Sequence, residues 1–89
     1  MKRKFALGCI VATPNALETV NREDMHLALQ RHARGEWGDC CPDDKAANGE
    51  ALKDGTRLFS VYYDRQGSKF WIITEADRSS TTILLPDDY

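Results

Sequence analysis

The chain has 89 residues, with twelve Lys and Arg against fourteen Asp and Glu, for a formal charge of −2. That length supports one domain, residues 1–89, around one hydrophobic core. The charge balance gives no global field to hold a polyanion, so a histone-like or DNA-coating role is disfavoured, and the interspersed charges disfavour an acidic DNA mimic.

The first residues, "MKRKFALGCIVATP", place Lys2, Arg3 and Lys4 before an apolar stretch. A secretory signal needs an apolar region of about 7 to 15 residues, and here only Phe5, Ala6 and Leu7 stand between Lys4 and Gly8. No run approaches the roughly 18 apolar residues of a membrane-spanning helix. The expected location is the cytoplasm, with no membrane partner.

"KFALGCIVAT" is rich in apolar residues around Ile10 and Val11, which predicts a strand buried on both faces, or a central strand with a bulge at Gly8. Thr13 then reads as an N-cap and Pro14 as the first position of a short helix with Leu17 and Val20 on one face. Asn21 opens a second helix. Along it Met25, Ala28, Leu29, His32 and Ala33 recur at helical spacing until Gly35 supplies the stop. "GEWGDCCP" is a loop by its glycines and proline, with Trp37 as its anchor on the core. Pro42 starts a third helix with Asp43 and Asp44 in the first turn, ending at Gly55. Its apolar content is thin, which leaves much of its surface to solvent or a partner.

"RLFSVYYD" and "KFWIITE", joined by "RQGS", form the clearest hairpin, with Gly67 at positive φ in the loop. "STTILLP" is a fourth strand ended by Pro86. The order β-α-α-α-β-β-β predicts an α+β fold: a four-stranded, mainly antiparallel sheet with helices packed on one face. The first strand is expected at an edge or beside the last strand.

Between the third and fourth strands lies "TEADRSSTT", denser in polar groups than a tight turn requires. Turn chemistry accounts for Asp77 and the hydroxyls. Glu75 and Arg78 form either a cross-turn ion pair or, with Thr81 and Thr82, a cleft that binds an anion or a partner's backbone. In the second case Arg78→Ala weakens capture of a partner without lowering the melting temperature. His32 on an apolar helix face reads first as a half-buried histidine bonded to backbone, and only with a substrate in reach as a general base. His26 reads as solvated.

Three cysteines, two of them adjacent, make no disulfide framework, and Cys40, Cys41, His26 and His32 lack the spacing of a structural zinc site. No metal or other cofactor is expected. Cys40 and Cys41 lie before a helix N-terminus, a setting that can lower thiol pKa, though a structural loop role is the plainer reading. The strong catalytic signatures are missing.

The segments "FALGCIVATPNALE", "RHARGEWGD", "DDKAANGEAL" and "FWIITEADRSSTTILLPDDY" together resemble a family of small proteins, about ninety residues long, carried on bacterial plasmids, phages and related mobile elements. The resemblance covers nearly the whole chain. It implies a mobile-element origin and a cytoplasmic accessory role, and it marks His32, Gly35, Trp37, Gly38, Asp44, Asn48, Glu75, Asp77, Arg78, Thr81 and Thr82.

Two functional classes follow. The first is a protein-binding module, acting in counter-defence or regulation, that engages a host or element-encoded protein or a second copy of itself. Its binding residues would be Trp37, Asp44, Asn48, Glu75, Asp77, Arg78, Thr81 and Thr82, with no catalytic set. The alternative is a metal-independent ribonuclease, because the element order is similar to that of RelE-type toxins. Arg78, Arg57, His32 and Glu75 would then position RNA and move protons. The slightly acidic charge weighs against RNA and for the first class.

Overall fold

A computed structural model describes residues 3–89; Met1 and Lys2, the latter part of the basic run, lie outside them. The elements are β1 (Cys9–Ala12), α1 (Pro14–Thr19), α2 (Arg22–Ala33), α3 (Pro42–Asp54), β2 (Leu58–Tyr63), β3 (Lys69–Thr74) and β4 (Ser80–Leu84), closed by a short 3-10 turn over Pro86–Asp88. None of the helices described is long and apolar enough to cross a membrane.

The helix starts follow local chemistry. Thr13 accepts the Ala16 N–H and Asn21 accepts the Asp24 N–H, each 3.1 Å away, so two of the otherwise orphaned donors are satisfied. Pro42 occupies the first turn of α3, and Gly55 ends that helix in the left-handed region at φ 72°.

The fold is α+β, but the sheet is mixed, which corrects the expectation of a mainly antiparallel one. Its order is β1-β4-β3-β2, with β1 parallel to β4 and the two hairpin pairs antiparallel. Two hairpin reversals leave β4 running the same way as β2. The three helices supply enough chain to cross the sheet from β1 and re-enter at the opposite edge in the same sense. β1 is also not the buried strand its composition suggests: it is an edge strand in which Cys9, Ile10 and Val11 are exposed. The segment before it leaves the sheet at Gly8, whose φ of 64° interrupts strand geometry.

Register separates the two faces. Ser60, Ile72, Ile83 and Ala12 align across the sheet, as do Tyr62 with Phe70 and Leu58 with Thr74, Thr81 and Ile10. This face packs against Ala16 of α1, Val20 just after it, and Met25 and Ala28 of α2, the main apolar core. The opposite face carries Val11, Thr82, Ile73 and Phe59 in one row, and Leu84, Trp71 and Val61 in the next. α3 seats Ala51 in a second cluster with Trp37, Cys40, Leu58 and Val61. It lies along the outer edge of β2, where Asn48 bonds the backbone of Phe59, and not flat on the helix-covered face.

Candidate functional site

The polar stretch after β3 forms a tight turn. Glu75 N–H donates to the Ser80 carbonyl (3.0 Å), Arg78 N–H donates to the Glu75 carbonyl (2.9 Å), and the Asp77 carboxylate accepts the Ser79 N–H (3.0 Å). The Ser79 hydroxyl first, and then that backbone N–H, hold the Asp77 carboxyl below its ordinary pKa. Arg78 sits at φ 60°, a left-handed conformation that costs a non-glycine residue on the order of 1 kcal/mol and needs surroundings to enforce it.

Those surroundings are carbonyl oxygens. Arg78 Nη1 donates to Thr56 (2.6 Å), Glu75 (3.2 Å) and Ala76 (3.3 Å), and Nη2 donates to Ala51 (3.0 Å). Ala51 and Thr56 bracket the C-terminal end of α3, where the aligned peptide dipoles favour a cation. The guanidinium also stands 5.7 Å over the Phe5 ring. Arg78 is therefore a clasp between the turn, α3 and the N-terminal segment. A structural role of this kind reverses the expected outcome of Arg78→Ala, which should lower the melting temperature.

Beneath the clasp runs a buried polar chain. Thr81 Oγ1 lies 2.7 Å from the Leu7 carbonyl, Thr74 Oγ1 2.8 Å from Thr81, and His32 Nε2 2.9 Å from Thr74, while His32 Nδ1 meets Ser60. A carbonyl can only accept, so Thr81 donates to Leu7. Thr81 must then accept from Thr74, and Thr74 from the N–H at His32 Nε2, which leaves Nδ1 to accept from the Ser60 hydroxyl. One tautomer and one direction satisfy every member. His32, Ser60, Thr74 and Thr81 are each 0% exposed. Burial, followed by the charge of Arg78, lowers the His32 pKa to about 3, so the imidazole is neutral.

Trp37 closes one side of this chain, with its ring 5.5 Å from His32 and stacked at 6.2 Å on Phe5. The Trp37 loop and the Arg78 turn are thus joined through Phe5, although they are about forty residues apart in sequence. Asn48 lies elsewhere: buried on α3, its side-chain amide accepts from Phe59 N–H (3.0 Å) and donates to the Phe59 carbonyl (2.6 Å). Asp44 is exposed on the first turn of α3, Glu75 is half-buried, Asp77 is exposed, and Thr82 points to the face of the sheet turned away from α1 and α2. The side chains of Trp37, Arg78 and Thr81 therefore belong to one assembly, which Glu75 joins only through its backbone carbonyl and the other predicted residues do not join.

The residues proposed for RNA cleavage are similarly occupied or enclosed. His32 has both ring nitrogens bonded inside the core, and Arg57 donates to the Tyr89 hydroxyl (2.6 Å), a bond that raises its pKa. Cys40 is buried and donates to the Phe59 carbonyl (3.4 Å); burial raises its pKa, the reverse of an activated thiol. Cys41 is exposed at the N-cap of α3. Among the described residues no three His, Cys, Asp or Glu side chains converge on a point that could hold a metal.

Sequence reasoning passed over Ser60, Thr74 and Phe5. For the first two a signal exists: each is a small hydroxyl residue in the inward phase of a strand, beside Leu58 and Tyr62 in β2 and beyond Phe70 and Ile72 in β3. Scans against known families, curated proteins and solved structures find no match to this chain.

Proposed function

We propose that this chain is a non-catalytic protein-binding module that docks a partner on the face of the sheet turned away from α1 and α2. The observation that carries the reading is where the reactive groups sit. The imidazole, the inward hydroxyls and the Arg78 guanidinium serve the interior, while on the opposite face, where Val61, Ile73 and Leu84 are buried, Val11 and Tyr63 stand exposed and Phe59 and Trp71 are half-buried.

On that face Trp71 lies between Phe59 (5.1 Å) and Tyr89 (5.7 Å), and Val11 and Tyr63 are 44% and 52% exposed. Aromatic residues of this sort supply large contact area at low entropic cost. Lys69, opposite Tyr63 in register, is exposed and has no ion pair among the described residues. The fitting partner is a protein surface that is apolar at its centre and offers a carboxylate to Lys69. The resemblance to mobile-element proteins supplies its source, a host protein or one encoded by the same element.

The test begins with a partner identified by cross-linking in a bacterium and then purified separately. Wild-type protein should bind it at one-to-one stoichiometry, Tyr63→Glu should weaken binding at least tenfold with an unchanged melting temperature, and Asp44→Ala should leave binding unaltered. Equal binding by the Tyr63 variant, or new RNA fragments and growth arrest on expression of the wild type, would overturn the proposal.

A further inference from the structure

The two faces do not exhaust the surface of the sheet, because β1 leaves its outer edge open. Cys9 N–H donates to Ser79 and Thr13 N–H donates to Ile83, both on the β4 side. In a parallel pair the N–H and C=O of one residue point the same way and alternate along the strand. Cys9, Val11 and Thr13 therefore face β4, and Ile10 and Ala12 turn their N–H and C=O outward. Among the described residues no hydrogen bond reaches those four outward groups. Ile10 is 48% exposed and Val11 44% exposed, so the edge is apolar as well as unpaired.

We infer that this edge is a homodimer interface, in which β1 pairs antiparallel with β1 of a second copy and the two sheets join into one of eight strands. The register follows from the chain itself. A two-fold axis at Val11 sets Ile10 against the partner's Ala12, and both pairs exchange N–H and C=O, so all four outward groups on each copy are used. An axis at Ile10 would set Ala12 against Gly8, whose φ of 64° takes it out of strand geometry. An axis at Ala12 would set Ile10 against Pro14, which has no N–H to donate. Only the Val11 register is complete.

Shape and charge favour the same occupant. Beside Ile10, on the face packed against α2, lies a cavity of about 210 Å³ lined by Leu7, Leu29, Ala33, His26, Gln30 and Arg3. A partner strand would roof it, with its Ala12 beside Ile10. Arg3 stands at the N-terminal end of β1, while Asp88, held by Thr13 (2.6 Å) and Asn15 (2.7 Å), stands at the C-terminal end. Antiparallel pairing brings the basic end of one copy to the acidic end of the other.

The dimer does not depend on the partner proposed above, and its test uses purified chain alone. Light scattering at micromolar concentration should report twice the chain mass, and the melting temperature should rise with concentration. Val11→Lys, which sets like charges directly opposite each other, should give a monomer whose melting temperature does not depend on concentration. Ala12→Pro removes only an outward N–H and should do the same.

In a Cys9→Ser, Cys41→Ser background, Val11→Cys should form an intermolecular disulfide on mild oxidation. A directly opposed, non-hydrogen-bonded pair has Cα atoms about 4.5 Å apart, within disulfide range. Cys9 of the wild type faces the partner's Thr13 and should not cross-link to its own copy. A monomeric wild type, a dimer that survives both Val11→Lys and Ala12→Pro, or cross-linking through Cys9 in place of Val11→Cys would overturn the inference.

Discussion

The two edges of the sheet are finished in opposite ways. Along β2 the outward groups of Phe59 and Val61 are bonded: Phe59 to Asn48, Val61 N–H to the Trp37 carbonyl (3.1 Å), and the Val61 carbonyl to Asp39 N–H (2.7 Å). Along β1 the outward groups of Ile10 and Ala12 have no bond among the described residues. An edge strand invites pairing with another chain, and proteins usually cover or charge such edges. This chain covers one edge with a helix and a loop and leaves the other apolar, which is why the dimer is proposed at β1.

The contrast can be broken most severely at Gly38. It bridges to Val61 at φ 70°, and a Cβ there would collide with the Val61 carbonyl oxygen and come within 2.8 Å of the Tyr62 ring. Gly38→Ala should cost about 3 to 5 kcal/mol, or abolish folding, by chemical denaturation. Asn48→Ala comes next. It deprives Phe59 N–H of its partner and leaves its carbonyl only the weak Cys40 bond, a loss of about 2 to 4 kcal/mol in the same measurement.

Arg78→Ala should cost about 2 to 3 kcal/mol, because it releases α3, the helix that seals β2, from the turn. A melting temperature equal to wild type would show that the clasp is not what holds α3 in place. Acid tests the buried chain on the same side. The pKa of His32 is about 3 when folded, against an ordinary value of 6.5, so the unfolded chain takes up the proton first. Its stabilisation is whole above about pH 6.5 and is lost as pH falls toward 3, with about 2 kcal/mol gone by pH 5.

The carboxylates of Asp24 and Asp64 have pKa values depressed below the ordinary 3.8, mainly by hydrogen bonds from Arg65 and from the Asn21 backbone respectively. They lose their contribution only at lower pH, as it falls through that range. A flat stability profile between pH 6.5 and 4 would show that His32 is not buried neutral. The smallest change belongs to the open edge: Val11→Lys should alter the stability of the monomer by under about 0.5 kcal/mol, while removing the dimer.

Much of the local structure is legible in the sequence because it depends on near neighbours. The β2–β3 hairpin follows from alternating β-branched and aromatic residues around Gly67, and the helix boundaries follow from Thr13, Pro14, Asn21, Pro42 and Gly55. The residues around Arg78 are conspicuous in sequence, yet their density reflects interior hydrogen bonding as much as surface chemistry. A polar side chain carries no mark of its own of which side of a strand it will face, beyond the phase set by its apolar neighbours two residues away. Thr81 and Thr82 are chemically identical neighbours, and alternation puts the first in the buried chain and the second on the face turned away from α1 and α2.

By itself, then, the sequence determined the element order, the helix caps, the hairpin and a nearly balanced formal charge, since each of these rests on local propensity or on composition. Tertiary structure alone decided that β1 runs parallel to β4, that Asn48 seals the far edge, and that Arg78, Trp37 and His32 meet around Phe5. Those outcomes depend on contacts between residues tens of positions apart, whose pairing is settled by which buried polar groups can all be satisfied at once.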